Sequence, residues 1–335
     1  MELEEKLKIT GISLENFRGI SKMEEEMKFK KFNVFIGKNN SGKTTILQSL
    51  FLFPYPKRFW IKNDFVIDWI ATLLSRKQAF IYKYFGIAKI EYKIGDEKLI
   101  IELDNELNFK INGKLNPSWN KIVEFNEIPQ KLKKLTSGDI QNISIYIPSE
   151  FSTFYKEYLK DYVLKNEDSI VKKGIHSKIA KEISGVVNDK YTELIWKGND
   201  IVARIESDPP YYVSLDDLGS GIKKAVSVML ATENIDPHLV LWDDFATNFH
   251  PLLIKMLLKW LNEKDWQVFI TTHSIDVLYY LIDEDVGINE EECNIILLNR
   301  DKEDVLHFEY KTLSDIDDMI NSGLDPRKIA EVIGI

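Results

Sequence analysis

The chain has 335 residues, 44% of them hydrophobic, a formal net charge of −9 and one cysteine, Cys293. That much apolar material can build a sizeable core, which excludes a disordered chain, and the length suits one large domain with an inserted lobe, or two domains. A single thiol excludes both an intramolecular disulfide framework and a CxxC zinc hook, and the acidic balance excludes a chain that coats nucleic acid with its whole surface.

The start "MELEEKLKIT" is acidic and lacks the apolar stretch of a leader, and no apolar run approaches the ~18 residues that span a bilayer. A cytoplasmic location without membrane attachment is therefore expected.

Residues 9–36 read as strands with a turn at Arg18 and Gly19, leading into "FIGKNNSGKTTILQSL" at 35–50. Gly37, Gly42, Lys43 and Thr44 fit G-x-x-x-x-G-K-[ST]. An apolar strand pattern enters the loop and a helical pattern (Ile46, Leu47, Leu50, Phe51) leaves it. The glycines let successive N–H groups turn inward, and with the positive end of the following helix they form an anion cradle. Lys43 is expected to reach the β- and γ-phosphates of a nucleotide, and the Thr44 hydroxyl to hold Mg²⁺.

A Pro- and aromatic-rich connection, "FPYPKRFWIKNDF", precedes a helix expected around residues 65–80. Lys57, Arg58 and Lys62 beside Phe59 and Trp60 are a candidate DNA contact, the alternative being a solvated loop whose aromatics tuck into the core. Residues 87–115 alternate apolar and polar side chains, with turns at Gly95-Asp96 and Asn112-Gly113, and predict an antiparallel meander. From Ser149 to about Asp189 the period becomes helical, with two segments separated near "KNEDS", so a helical hairpin is expected between sheet elements. Strands return in "TELIWKG", "IVARIES" and "YYVSL", and a helix starts near Gly221.

"HLVLWDD" and "WQVFITTHS" have the unbroken apolar character of buried parallel strands, with the helix "PLLIKMLLKWLN" between them. In the first, Asp243 ends an apolar strand in the manner of a Walker B acid, which helps to hold Mg²⁺, and Asp244 takes the place of the acid that orients or deprotonates the attacking water. Gly219, Ser220 and Gly221 mark a helix N-terminus that binds either phosphate or water. His273 closes the second strand, where it either donates to a terminal phosphate or is simply a satisfied strand-end histidine. A hairpin and two short helices complete the chain.

The order of these motifs changes their weight. "LENFRGI" at 14–20, "GKNNSGKT" at 37–44, "LGSGIKK" at 218–224, "DDFATNFHP" at 243–251 and "TTHS" at 271–274 together resemble the ATP-binding-cassette ATPases, in the branch of the SMC, RecF and OLD families. The resemblance implies an α/β P-loop fold with a mixed central sheet, an antiparallel β subdomain and an inserted helical hairpin. It further implies that residues 1–335 form a single head: 1–145 a P-loop lobe with the meander, 146–192 the insert, 193–300 the lobe with the signature, Walker B and His motifs, and 301–335 the hairpin end and short helices.

In function it implies an ATP- and Mg²⁺-dependent homodimer. Two heads pair head to tail around two ATP molecules, and each offers its Gly219–Gly221 helix start to the other's γ-phosphate. Arg18 and Asn39 then lie near the nucleotide, with Asn40, Ser41 and Thr45 in the same loop. Ala246 to His250 form the loop crossing the seam, and Gln78 is the candidate Q-loop residue.

The chain departs from the pattern at two places. Gly219 stands where the first serine of Leu-Ser-Gly-Gly is usual, and Asp244 replaces the usual glutamate. One methylene fewer draws the carboxylate back by about 1 Å, and a misplacement of ~1 Å can cost on the order of 100-fold in rate, so slow hydrolysis is expected. No long coiled coil is present and the C-terminal remainder is too short for a fused metal-dependent nuclease, so any nuclease is expected to be a separate chain.

The leading expectation is a slow ATPase switch in DNA maintenance or defence against invading nucleic acid. The alternative is a non-hydrolysing ATP-dependent scaffold that docks a separate effector through the hairpin or the C-terminal "SGLDPRKIAEVIGI". A P-loop kinase or GTPase fits less well, since no Asn-Lys-x-Asp motif is present and the Gly-Ser-Gly helix start would be left without a role.

Overall fold

The computed structural model describes residues 6–60, 64–74 and 76–329. The N-terminal strands are β1 (Gly11–Phe17), β2 (Ile20–Met23), β3 (Met27–Lys28) and β4 (Phe32–Gly37), and the meander supplies β5 (Ala88–Ile94), β6 (Glu97–Leu103), β7 (Phe109–Ile111) and β8 (Lys114–Leu115). Then follow β9 (Ser144–Ile147), β10 (Tyr191–Lys197), β11 (Asp200–Ile205), β12 (Tyr211–Ser214), β13 (Leu239–Trp242), β14 (Gln267–Thr272), β15 (Cys293–Arg300) and β16 (Val305–Lys311).

The main sheet is mixed, in the order β8-β7-β6-β5-β1-β2-β16-β15-β4-β14-β13-β9, with β3 paired to β1. One wing is antiparallel. Its tight turns fall at the dipeptides that favour them: Asn112 and Gly113 both have positive φ (45° and 79°), as a type I′ hairpin requires. The other wing, β15-β4-β14-β13-β9, is parallel, and its strands are buried on both faces, so the apolar runs around residues 239 and 267 form neighbouring strands. Ligands bind beyond the carboxyl ends of such strands. The P-loop leaves the end of β4, Asp243 that of β13, His273 that of β14, Ser149 that of β9, and Arg300 ends β15.

The helix expected over 65–80 runs Val66–Leu73 and is followed by a separate 3₁₀ turn, Lys77–Phe80. The insert consists of helices Thr153–Lys165 and Ile175–Ser184 joined by a short helix, Glu167–Lys172. Asn166 makes the first break, with its side-chain amide turned back on the Tyr162 carbonyl, and Gly174 at φ 68° makes the second. Both long helices of the insert pack on the helix Ser220–Ile235, and the second also covers β10 of a separate antiparallel sheet, β10-β11-β12. Three short helices between Trp119 and Gln141 fill the connection to β9. The last of them is set by a capping box in which the Thr136 hydroxyl and the Asp139 carboxylate each satisfy the other's backbone N–H.

Candidate functional site

The P-loop is built by backbone constraints that only its glycines meet. A Cβ on Gly37 would lie 2.5 Å from both the Leu298 carbonyl oxygen and Ser41 Oγ, and Gly42 has φ 104°. The helix Lys43–Leu52 follows directly and has no side-chain cap, so its first N–H groups point into the cradle.

Lys43 curls back across the loop and its ammonium donates to the carbonyls of Gly37 (2.7 Å) and Lys38 (2.8 Å). Burial draws this amine down to about 8, against the opposing pull of Asp243 and Asp244. Ser41 Oγ is buried and finds no hydrogen-bond partner among the described residues.

Across the cavity, the parallel register pairs Trp242 with Ile270 and Ile147, so that Asp243 emerges beside Thr271 and the P-loop helix. Its carboxylate accepts hydrogen bonds from the Thr44 hydroxyl (2.8 Å and 3.1 Å to the two oxygens), from Thr271 Oγ1 (2.7 Å) and from the Tyr146 hydroxyl (3.4 Å). Burial, with Asp243 adding to it, holds the Tyr146 phenol well above its ordinary range, so Tyr146 stays a donor.

Asp244 has φ 46°; its N–H donates to Thr271 Oγ1 (2.7 Å), and its carboxylate accepts from the Thr247 hydroxyl. His273 has its proton affinity lowered by burial and then by Lys43, which keeps the imidazole neutral at pH 7. The Arg327 guanidinium pins the His273 carbonyl at 2.9 Å.

One cavity of about 640 Å³ gathers Arg18, Asn39, Asn40, Gly42, Lys43, Thr44, Thr45, Asp243, Asp244 and His273. Gly37 and Ser41 form the base of the same loop without lining the cavity. Ser220 instead lines an adjacent cavity with Lys224, Thr247 and Asn248, and Ser149 lines both. Gly219 and Gly221 line neither.

Gln78, the candidate Q-loop residue, is exposed in its 3₁₀ turn and does not line the nucleotide cavity; the buried Gln48 is the glutamine that Arg18 contacts. Arg58 is a correction to the DNA-contact alternative. It is 1% exposed, donates to the Phe51 carbonyl (3.0 Å) and Ser144 Oγ (2.6 Å), and stacks on the Phe51 ring, so it serves the core. Lys62 lies outside the described residues.

Sequence reasoning missed Gly19, Ser149, Thr271 and Arg300, all of which line the cavity. The first three sit within or beside recognised motifs or strand ends. Arg300 had no local signal, because only the pairing of β15 with β4 brings it to the loop. Its guanidinium donates to the Gly19 carbonyl and occupies the space that a Cβ on residue 19 would need.

The donor set suits Mg²⁺. Among the described residues no cluster of three or more His, Cys, Asp or Glu could cage a metal, whereas Thr44 and Asp243 offer the hydroxyl and single carboxylate that this ion combines with phosphates and water. The loop lysine held only by main-chain carbonyls, the Ser41 hydroxyl without a partner among the described residues and the cradle of N–H groups likewise suit a polyphosphate.

Comparison with known proteins agrees with this geometry. The family described as AAA ATPase domain matches residues 7–201, and an AAA domain of the AbiEii toxin type matches residues 211–278. The DNA replication and repair protein RecF of Clostridioides difficile (strain 630) is 29% identical over 178 residues, 51% of this chain and 45% of that protein, so the match spans about half the length of each. In fold, the chain is similar to the Smc head domain of Pyrococcus furiosus crystallised with the C-terminal domain of ScpA (TM-score 0.55, 11% identity, 94% of this chain and 98% of that one). It is also similar to an Smc head bound to the C-winged helix domain of ScpA (TM-score 0.59, 13% identity, 91% and 98%). Among the described residues no helix is long and apolar enough to cross a membrane. With its family match covering more than half of the chain, the protein belongs to the AAA ATPase domain family, and its motif order and fold resemble those of the ABC-type ATPases of the SMC/RecF branch.

Proposed function

We propose that this chain is a slow Mg²⁺-dependent ATPase that pairs head to tail with a second copy around two ATP molecules and acts as a nucleotide-controlled switch in DNA maintenance or defence. One observation carries the reading. The P-loop, Asp243, Asp244 and His273 share one cavity, while the uncapped helix start at Ser220 opens on another, so a phosphate in the first cavity leaves the second without a ligand from the same chain. An isologous dimer supplies it, because each copy uses the same patch.

The roles follow from placement. Lys43 and the loop N–H groups bind the β- and γ-phosphates. Thr44 and Asp243 hold Mg²⁺, which when bound neutralises charge on the transferring phosphoryl group. Asp244 orients water, and neutral His273 donates to the γ-phosphate. The likeness to RecF, a DNA replication and repair protein, supports a DNA-related role, and the ScpA-bound Smc heads support a separate partner chain, either a nuclease or another effector.

The second reading, a non-hydrolysing scaffold, is favoured by the Thr247 hydroxyl already occupying the Asp244 carboxylate. Single-turnover hydrolysis separates the two. In an ATPase, Asp244→Asn retains nucleotide and loses turnover, and Asp244→Glu accelerates it by up to ~100-fold if reach limits the native acid. Cleavage by wild type that Asp244→Asn leaves undiminished removes the role given to Asp244, and equal, negligible turnover in wild type and Asp244→Asn leaves the scaffold.

A further inference from the structure

Lys224 is the most buried lysine near the site and the mechanism above makes no use of it. It lies one turn into the helix Ser220–Ile235, is 1% exposed, and has no carboxylate within ion-pairing distance among the described residues. A buried charge without a partner is costly, so its retention calls for a reason. Its ammonium sits 4.9 Å from the centre of the Phe249 ring and 5.9 Å from those of Trp242 and Phe151. The one hydrogen bond it makes among the described residues goes to the Thr247 carbonyl, at 3.2 Å.

Thr247 is also the residue whose hydroxyl donates to Asp244, and its N–H donates to the Asp244 carbonyl at 3.1 Å. The helix start and this loop are in close backbone contact as well: a Cβ on Gly221 would lie 2.5 Å from the Asn248 carbonyl oxygen. Asp244 and Asn248, at the two ends of the loop, both have positive φ (46° and 69°), so the loop holds a conformation that its surroundings impose. Burial draws the Lys224 amine down to about 8, with the Asp244 charge pulling the other way.

We propose that Lys224 is a positioning residue that ties the Ser220 helix start to Asp244 through Thr247. In a head-to-tail pair that helix start meets the other copy's γ-phosphate, whereas Asp244 faces the ATP of its own chain. The Lys224–Thr247–Asp244 chain therefore reports the filling of one site to the acid of the other, and the two hydrolytic events become linked without any contact between the nucleotides. The catalytic consequence rests on the ATPase reading above; the mechanical link belongs to the nucleotide-free chain and can be tested there.

Three variants separate the parts. Lys224→Met keeps the length and the packing on the rings but removes the donor, Lys224→Arg restores a donor, and Thr247→Val removes the hydroxyl at nearly constant shape. In nucleotide-free protein, amide hydrogen exchange over residues 244–249 is expected to quicken by about tenfold in Lys224→Met and Thr247→Val, the effect of losing one hydrogen bond to a charged group. Lys224→Arg is expected to return it towards wild type. Single-turnover hydrolysis falls roughly 10- to 100-fold in the same two variants while ATP affinity, read by calorimetry, changes less than about twofold. The double variant is no slower than the slower single one, since both break the same chain of contacts.

Unchanged exchange over 244–249 in Lys224→Met overturns the proposal, as does a turnover loss that Arg leaves uncorrected. If Lys224→Met does not fold, Thr247→Val decides, and unchanged exchange there is equally fatal. Wild-type protein without turnover removes the ATPase reading alone, and the exchange measurements still judge the link.

Discussion

The P-loop and the Ser220 helix start differ in how far the chain's own groups satisfy them. Around the P-loop, every charged group already has a partner from the same chain: Lys43 rests on loop carbonyls, and Asp243 gathers Thr44, Thr271 and Tyr146. The helix start at Gly219–Ser220 is exposed and has no side-chain cap on its first N–H groups. The first region is preorganised and so costs little to rearrange when phosphate arrives. In the proposed pair the second would be half a site, a surface that the other copy completes.

The largest effect that tests this contrast is Lys43→Ala. Each hydrogen bond from a charged group contributes about 1.5–3 kcal/mol, so ATP affinity should fall by ~100-fold or more. The melting temperature of the free protein should hold or rise, since the amine is buried without a carboxylate partner. Calorimetry showing wild-type affinity would remove the P-loop assignment.

Ser220→Arg should spare ATP affinity and abolish the nucleotide-dependent dimer, because bulk and charge enter an exposed seam. Sedimentation with and without Mg²⁺-ATP reads this directly. The same oligomer in every condition would mean that the Ser220 face is complete without a second copy.

Gly221→Ala probes the rigidity of that face. The added Cβ meets the Asn248 backbone, so the helix start and the loop must separate, at a cost of about 1–3 kcal/mol in urea unfolding. A loss below ~0.5 kcal/mol would show that the two move apart freely.

The smallest effect is protonic. With its amine at about 8 in the free protein, Lys43 is partly neutral at pH 8.5–9, whereas a bound polyphosphate keeps it charged. ATP binding should therefore take up a fraction of a proton there and none at pH 6.5, and affinity should weaken as pH rises through 8. Folding responds in the opposite sense. Between about 8 and the unfolded value of ~10.4 the unfolded chain binds more protons, so this group makes the fold more stable as pH rises. Calorimetry in buffers of different ionisation enthalpy, compared with Lys43→Ala, isolates the contribution.

Much of this architecture is written locally. Asn112-Gly113 and Gly95-Asp96 announce their hairpins because left-handed turns need those residues, the apolar runs before Asp243 and His273 announce doubly buried strands, and the P-loop is a spacing of glycines that no other turn requires. The boundaries of the helix Pro251–Asn262 follow from Pro at its first position and an unbroken apolar stripe. Gly174 and Asn166, which divide the insert, carry the usual signals of helix ends, although the short helix between them is too brief for periodicity to reveal.

What the sequence by itself determined is therefore most of the elements, β9 and the three short helices before it excepted, and the chemistry at their ends, because turn geometry, strand burial and phosphate cradles depend on residues close together in the chain. Tertiary structure alone decided which ends meet. Arg300 reaches the nucleotide cavity because β15 pairs with β4, and Thr271 holds both aspartates because β14 lies beside β13 in one register. Arg58 leaves the surface because Ser144 receives it, and Lys224 touches the Asp244 loop because Gly221 lets the helix approach Asn248. Each of these contacts joins residues tens to hundreds of positions apart, or turns on a single close approach, and local propensity carries no record of either.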